Sequence, residues 1–435
     1  QPMNHFSRKL YPLASIAAGV CTLAVALPAM AVDLKTPDGA WTFSIDGNVN
    51  VDYIYTHCES SPHAIADVGG ACTATASGSS VSNVGNGLLP AAFSFGVATT
   101  QNGIDLAAHL GLYPGIDTND GGSPNLQQTA GGTTNVALGT TGLDVRQVYM
   151  TFGNKQMGTF TLGRNFGLFG FDAIVNDMTL LGVGVGGSMS GANPANTSLG
   201  SIGYGYIYTD TYAQMNYTTP DYSGANLTIG IFDPVNSLTE PGSAAGKTAP
   251  GFHGKIAWKG DFAGTKVSLS ATGITQEQKY NLTATTSGSY QSTGGDVFAK
   301  VDMGGLSLMA SGYYGRGMGI TGLFLLADDG VGDPRPSYGY LLQGTYTIDQ
   351  LKLGINYGVS RLAFANDADR AADFASGGAH LVSENAKVTG GVYYNLTKNL
   401  TLLGEVSWAQ TTAHFASDVN NNSSVGGNFG VFLAF

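Results

Sequence analysis

Cys58 and Cys72, with His57, Glu59 and His63 close by, are side chains that can do redox or metal chemistry. Thiols and imidazoles so placed can close a disulfide or hold zinc. No regular zinc spacing is present, so a Cys58–Cys72 disulfide is the expectation. Closing a loop of about 15 residues stabilises by roughly 3 kcal/mol in the chain-entropy model. The other histidines after the first 31 residues are His109, His253, His380 and His414. None sits in a recognisable Ser-His or Asp-His constellation, as a hydrolase would need. Gly182, Gly184, Gly186 and Gly187 follow no strand-to-helix context, so they carry no phosphate-cradle signal. Asp328, Asp329 and Asp333 read as solvated loop charge, with a calcium site as the rival. Neither an enzyme nor a resident cofactor is expected.

Few other charges are available to do chemistry. Asp, Glu, Lys and Arg make up 11% of the chain, against about 25% in ordinary soluble domains. Gly accounts for 64 of 435 residues, about twice the usual share. The net charge is −11, which argues against a nucleic-acid partner, whose phosphates need a basic face. Arg8 and Lys9 precede an apolar run over 13–27 and then Ala29-Met30-Ala31, a small-x-small cleavage site. Residues 1–31 therefore read as a secretory signal peptide, leaving 32–435 as the mature domain. That export makes a disulfide the natural fate of the two thiols.

The elements that must position the remaining charges are strands. From Trp41 to Thr56 the odd positions are mostly oily and the even ones polar, with one lapse at Ile54. The same period of two recurs over 351–359, 399–411 and 425–435. Short turns are expected near 101–103, 154–156, 220–224, 260–264, 303–305, 348–350 and 397–399. Long Gly-, Ser-, Asn- and Asp-rich loops are expected near 57–88, 115–142, 166–203, 234–250, 277–292, 316–336, 362–382 and 412–424. Long and short alternate strictly, which joins sixteen antiparallel strands with both termini on the short-turn side. A soluble sandwich keeps its oily face inside. Here the oily face carries Tyr, Trp, Phe and Gly while the other holds small polar groups and charges, which fits lipid outside and water within. A sheet in lipid must close, because an open edge leaves backbone groups unsatisfied. The fold class expected is all-β, a 16-stranded antiparallel transmembrane barrel wide enough for an aqueous channel.

Parity then assigns lumen residues. Phe252, Ile256 and Trp258 face out, so His253, Lys255 and Lys259 face in. Val297, Ala299 and Val301 face out, so Lys300 faces in. Val388, Val392 and Tyr394 face out, so Lys387 and Tyr393 face in. Asp46, Asp52, Asp210 and Glu405 also have inward parity. A Lys or Arg turned toward lipid at mid-membrane would cost about 2–4 kcal/mol.

The segment from Arg146 to Asp172, "RQVYMTFGNKQMGTFTLGRNFGLFGFD", resembles the general diffusion porins of Gram-negative outer membranes. It has an Arg-led strand, a tight turn, a Gly-x-Phe-x-x-Gly-Arg strand and then a long third loop. The chain also ends in Phe435, like family members. The resemblance implies that the third loop folds inward and narrows the pore, with its acids Asp172 and Asp177 facing a basic wall. It implies that Arg146 is the wall arginine. With it Val148 and Met150 would point inward, and Gln147 and Tyr149 outward. Arg164 would face outward and contact a neighbour in a homotrimer, and Phe435 would be read by the barrel-assembly machinery. Both arginines have a loop-stabilising ion pair as the plainer reading. This chain departs from the family in lacking an acidic loop tip, carrying Leu180, Leu181, Val183 and Val185 instead. Those residues either line the pore or pack the loop against the wall.

The functional expectation is an outer-membrane, water-filled channel for passive diffusion of small hydrophilic solutes and ions. The excess of acids predicts mild cation preference. The alternative keeps the barrel but makes it selective for partly hydrophobic or aromatic solutes. The candidate pore residues are Arg146, Asp172, Asp177, Leu180, Leu181, His253, Lys255, Lys300 and Lys387. Lipid is the partner outside.

Overall fold

The structure is a computed structural model that describes residues 32–58, 63–72, 80–116, 143–186, 197–235, 248–281, 287–415 and 419–435. Residues 1–31, assigned above to a signal peptide, lie outside the described residues. Side chains at 280, 281 and 287 are likewise outside the description.

Sixteen antiparallel strands close into a barrel. They are β1 (Thr42–Cys58), β2 (Ala92–Gln101), β3 (Ile104–Pro114), β4 (Leu143–Asn154), β5 (Gly158–Phe166), β6 (Thr211–Thr218), β7 (Ala225–Phe232) and β8 (Gly251–Phe262). There follow β9 (Thr265–Asn281), β10 (Ser287–Met303), β11 (Leu306–Arg316), β12 (Pro336–Ile348), β13 (Leu351–Leu362), β14 (His380–Asn395), β15 (Leu400–His414) and β16 (Val419–Ala434). Each pairs with the next, and β16 returns to β1 from Ser424 opposite Cys58 to Ala434 opposite Asn48. Val81–Gly85 extends the β2 ladder upward along β1. Two short pieces lie beside the barrel ladder: Val32–Lys35 on the start of β1, and Ile65–Ala66 parallel to the start of β14. Closure leaves no open edge, so the ladder satisfies the backbone groups that lipid cannot.

The two faces sort as the alternation requires. On β1, Val49, Val51, Tyr53 and Tyr55 are exposed on the outer surface, while Asn48, Asn50 and Asp52 are buried within. Exposed Tyr55, Tyr314 and Tyr338 lie toward the long-loop end, and Phe43, Phe262 and Tyr346 toward the short-turn end. That is the paired aromatic arrangement suited to the two interfaces of a bilayer. The oily lapse, Ile54, is buried inside, where a side chain added at Gly186 of the third loop would meet it at 2.9 Å. It packs an inserted loop rather than lipid.

The short turns fall where the sequence places them. Two of the expected long loops shrink, because β9 and β10 run to Asn281 and from Ser287, and β15 and β16 run to His414 and from Val419. One parity assignment is corrected. Gly111 of β3 pairs with Gln147 but Leu112 pairs with Val145, so Arg146 sits in a β-bulge. A one-residue insertion reverses every side chain beyond it. Asp144 and Arg146 both face the lumen, and so do Gln147 and Tyr149 below the bulge, only 2% and 5% exposed. Val148 and Met150, at 49% and 53%, face outward.

Candidate functional site

Segments of chain enter the lumen, and inward side chains of the wall hold them in place. The third loop, residues 167–210, turns inward at Gly170, whose φ of 74° suits glycine; a Cβ there would fall 2.6 Å from the Ile207 carbonyl. The Gly170 N–H donates to Asp296 on β10 at 2.9 Å. A short helix, α1 (Phe171–Asn176), and a 3-10 turn over Met178–Leu180 follow. Gln343 of β12 clasps the junction between them. It accepts from the Met178 N–H at 2.6 Å and donates to the Asn176 carbonyl at 2.9 Å.

Asp172 on α1 meets Lys255 of β8 at 2.6 Å and accepts a hydrogen bond from the Ser270 hydroxyl. Asp172 is thus ion-paired directly to a lysine of the wall. Asp177 has a different part. It caps the 3-10 turn through the Thr179 N–H at 3.0 Å and hydroxyl at 2.8 Å. Its other oxygen receives the Ser201 N–H at 3.1 Å and the Tyr206 hydroxyl at 2.9 Å. Asn356 of β13 adds a bond at 3.1 Å. Asp177 is buried and knots the loop to itself and to the wall.

Further along, Glu405 of β15 accepts the backbone N–H groups of Val183 and Gly184 at 2.8 and 2.7 Å. Its second oxygen takes the Tyr393 hydroxyl. A side chain at Gly182 would lie 2.2 Å from that carboxylate, so the Gly-rich tip lets the backbone approach a buried acid. Lys387 of β14 donates to the Gly200 carbonyl at 2.9 Å and to the Thr389 hydroxyl at 3.1 Å, and it is 0% exposed. The expectation of Lys387 as a residue of the aqueous lining is therefore corrected: it points inward, but beneath the loop. His253 also points inward. Its ring stacks on Phe232 at 3.8 Å and accepts from the Leu168 N–H at 3.4 Å, under the root of the loop rather than on open water. Lys300 is accessible in the lumen and lies 3.5 Å from Asp302.

Two other segments enter the lumen, and neither was anticipated. Between Val81–Gly85 and β2 the chain leaves the ladder at 86–91. There the Leu88 and Leu89 N–H groups bond the carbonyls of Gly182 and Leu180 at 2.7 and 3.0 Å. Asn50 of β1 braces the excursion, accepting from Gly87 N–H and donating to the Leu89 carbonyl, both at 2.8 Å. Pro90 has no N–H for a ladder, which favours the break. The second segment is 317–335, between β11 and β12, with Met318, Ile320, Phe324 and Ala327 fully or nearly fully buried. Its signal in the sequence is an apolar run, Leu323-Phe324-Leu325-Leu326, inside a Gly- and Asp-rich loop.

These segments leave a cavity of about 160 Å³ between them. Leu88, Leu89 and Pro90 bound it on one side, Ile174, Leu180 and Ile202 on another, and Leu325 on a third. Leu180 thus borders the open space, while Leu181 is buried in the apolar cluster around it. Arg146, Tyr113, Tyr208, Thr197, Ser198 and Thr321 supply its polar lining. Arg146 meets Asp144 at 2.7 Å with its guanidinium 5.2 Å from the Tyr113 ring centre. Arg164 is half-buried on the outward face, opposite Val148 on one side and Ala213 on the other.

At the mouth, Cys58 and Cys72 are joined as a disulfide with an S–S distance of 2.14 Å. Among the described residues no group of three or more His, Cys, Asp or Glu side chains is placed to hold a metal ion. Asp328 instead accepts the Tyr290 hydroxyl at 2.6 Å and the Gly330 N–H, and Asp329 caps the Val331 and Asp333 N–H groups. Phe435 ends the barrel by pairing with Gly47, donating and accepting at 3.0 and 2.9 Å, with its ring against Phe93.

Solved structures share this architecture at low sequence identity. The outer-membrane channel DcaP of Acinetobacter baumannii is 15% identical and aligns over 92% of this chain and 99% of its own, with a TM-score of 0.62. OprB of Pseudomonas putida is 13% identical over 92% and 95% of the two chains, with a TM-score of 0.55. OmpF of Salmonella typhi is 14% identical over 93% and 100%, with a TM-score of 0.53. No functionally curated protein matches the sequence. The chain does match the Gram-negative porin family over residues 14–414. A closed barrel with lipid-facing apolar rows, a polar inner wall and a third loop held across the lumen belongs to that pattern, and this chain is a member of the Gram-negative porin family.

Proposed function

We propose that the protein passes small hydrophilic solutes and ions across the outer membrane by diffusion, at a constriction set by the third loop, with mild preference for cations. The observation that carries this is the third loop itself. Wall side chains Gln343, Asn356, Lys387 and Glu405 hold it across an otherwise polar cylinder. The preference follows from charge bookkeeping along the path. Lys255 and Lys300 each face an acid, and Lys387 has no exposed surface. Over the whole chain acids outnumber Lys and Arg, 30 to 19. Lining charge and width set selectivity in such a pore, without chemistry. Reversal potential across a salt gradient in planar bilayers tests it. A modest cation preference is expected, and clear anion preference refutes it.

Export by residues 1–31, assembly directed by Phe435 and association into a homotrimer through the face bearing Arg164 complete the proposal. Arg164→Glu should shift the oligomer toward monomers in native electrophoresis.

The cavity favours a second reading, selectivity for partly hydrophobic or aromatic solutes. Its lining is mainly apolar, with Arg146 and Tyr113 among its polar groups. Saturable block of ion current by a small aromatic solute supports this reading, and linear, non-saturating behaviour excludes it.

A further inference from the structure

We infer that the segment 317–335 is a second constriction of the channel, forming with the third loop a chamber that admits one six-membered ring at a time. The inference rests on the channel reading above, but it assigns selectivity to a different part of the chain.

The segment packs against two stretches of wall. Phe324 belongs to an apolar cluster with Phe169 and Ile207 of the third loop and Tyr212, Phe232 and Tyr313 of β6, β7 and β11. Ile320 belongs to another, with Leu362, Leu381 and Ala413 of β13–β15. Its backbone is joined to the third loop where the Tyr208 N–H donates to the Thr321 carbonyl at 2.9 Å. At its exit, Arg335 holds Asp369 with two bonds of 2.8 and 2.7 Å. Asp369 lies on α2 (Asp367–Ala375).

The segment also carries strain. Phe324 and Leu326 have φ values of 64° and 58°. For bulky residues such left-handed backbone is strained and persists only where surroundings over-determine it. Leu325, between these two residues, and Thr321 line the cavity. A dry apolar cavity of about 150 Å³ is known to hold benzene, so a space of about 160 Å³ suits a single ring. Leu325 of this segment and Leu180 of the third loop both line that space.

The test uses the full-length channel in planar bilayers, with benzamide as the ring probe and arabinose as a polar solute of similar size. Leu325→Trp fills the chamber and should lower single-channel conductance at least twofold. Leu325→Ala cannot clash and should raise conductance and weaken benzamide block severalfold, with arabinose little affected. Replacing 319–332 by a short Gly-Ser linker should widen the channel to larger sugars. Unchanged conductance in all three variants, with barrel circular dichroism intact, overturns the inference. If conductance responds to Leu325 but benzamide never blocks the wild type, the ring-sized chamber is overturned and the wider channel reading stands. If the wild type forms no channels at all, the proposed function itself has failed.

Discussion

Two of the segments that enter this barrel, the third loop and 317–335, are held by different balances of force. Buried polar bonds grip the third loop. Asp177 collects donors from three segments, Glu405 takes two backbone N–H groups and Lys387 donates to Gly200. Apolar burial carries more of the hold on 317–335, with Met318, Ile320 and Phe324 buried, beside the Tyr208–Thr321 bond and the Arg335–Asp369 pair near its exit. Directional bonds specify one register and penalise any displacement by leaving buried groups unsatisfied. Apolar contacts tolerate sliding and repacking. The third loop should therefore behave as a fixed part of the pore, and 317–335 as the part that yields first.

The most damaging test of that contrast is Glu405→Ala. It strands two loop N–H groups and the Tyr393 hydroxyl, and each buried group left unsatisfied costs about 1–3 kcal/mol. Guanidinium unfolding in detergent should show the loss, together with a noisier and wider channel. Phe324→Ala comes next. Truncating a buried Phe costs about 3–5 kcal/mol, and alanine keeps the Cβ, so the left-handed strain at this position stays. Hydrogen exchange should speed over 317–335 while 171–184 stays protected. Equal acceleration in both loops would erase the distinction. Arg335→Ala should act more locally. Burial opposes the charge on Asp369, but bonds from Arg335 and the Ala365 N–H outweigh it and hold its carboxyl below the usual range. Losing a charged hydrogen bond costs about 1.5–3 kcal/mol, to be seen as faster proteolysis near the segment and brief high-conductance openings.

The smallest effect concerns the first loop, which shares an apolar cluster with Ile320 through Ile65. Asp67 there is partly exposed as a residue, but its carboxyl reaches inward to Asn385 at 2.7 Å. Burial pushes its pKa up to about 7, against the bonds from Asn385 and Val68. A carboxyl raised on docking favours the docked loop below its ordinary pKa and loses that contribution as pH climbs to about 7. Conductance should therefore be lowest near pH 4 and rise toward pH 7, and Asp67→Asn should flatten the curve.

Legibility in the sequence followed the range of the interactions. Strand count, short turns and face assignment come from period-two patterning and turn residues, which act over a few positions, and these matched on β1, β8, β10, β14 and β15. The Arg146 bulge escaped because an inserted residue leaves no mark within its own strand; only the partner register, Gly111 to Gln147 and Leu112 to Val145, exposes it. Lys387 and His253 show the limit of parity. It reported which face each occupies, but not that a loop lies over them. Ile54 and the run at Leu323–Leu326 were visible exceptions whose meaning needed a partner.

The amino-acid order alone thus determined a closed cylinder, oily outside and wet within, because alternation along a pleated strand is a local property of the backbone. What occupies the cylinder was decided only in three dimensions. Val183 meets Glu405 across 222 positions of chain, and Phe169, Phe232 and Phe324 converge from separate segments. Contacts of that span have no period, so which charges meet water and how wide the passage stays depend on the folded loops.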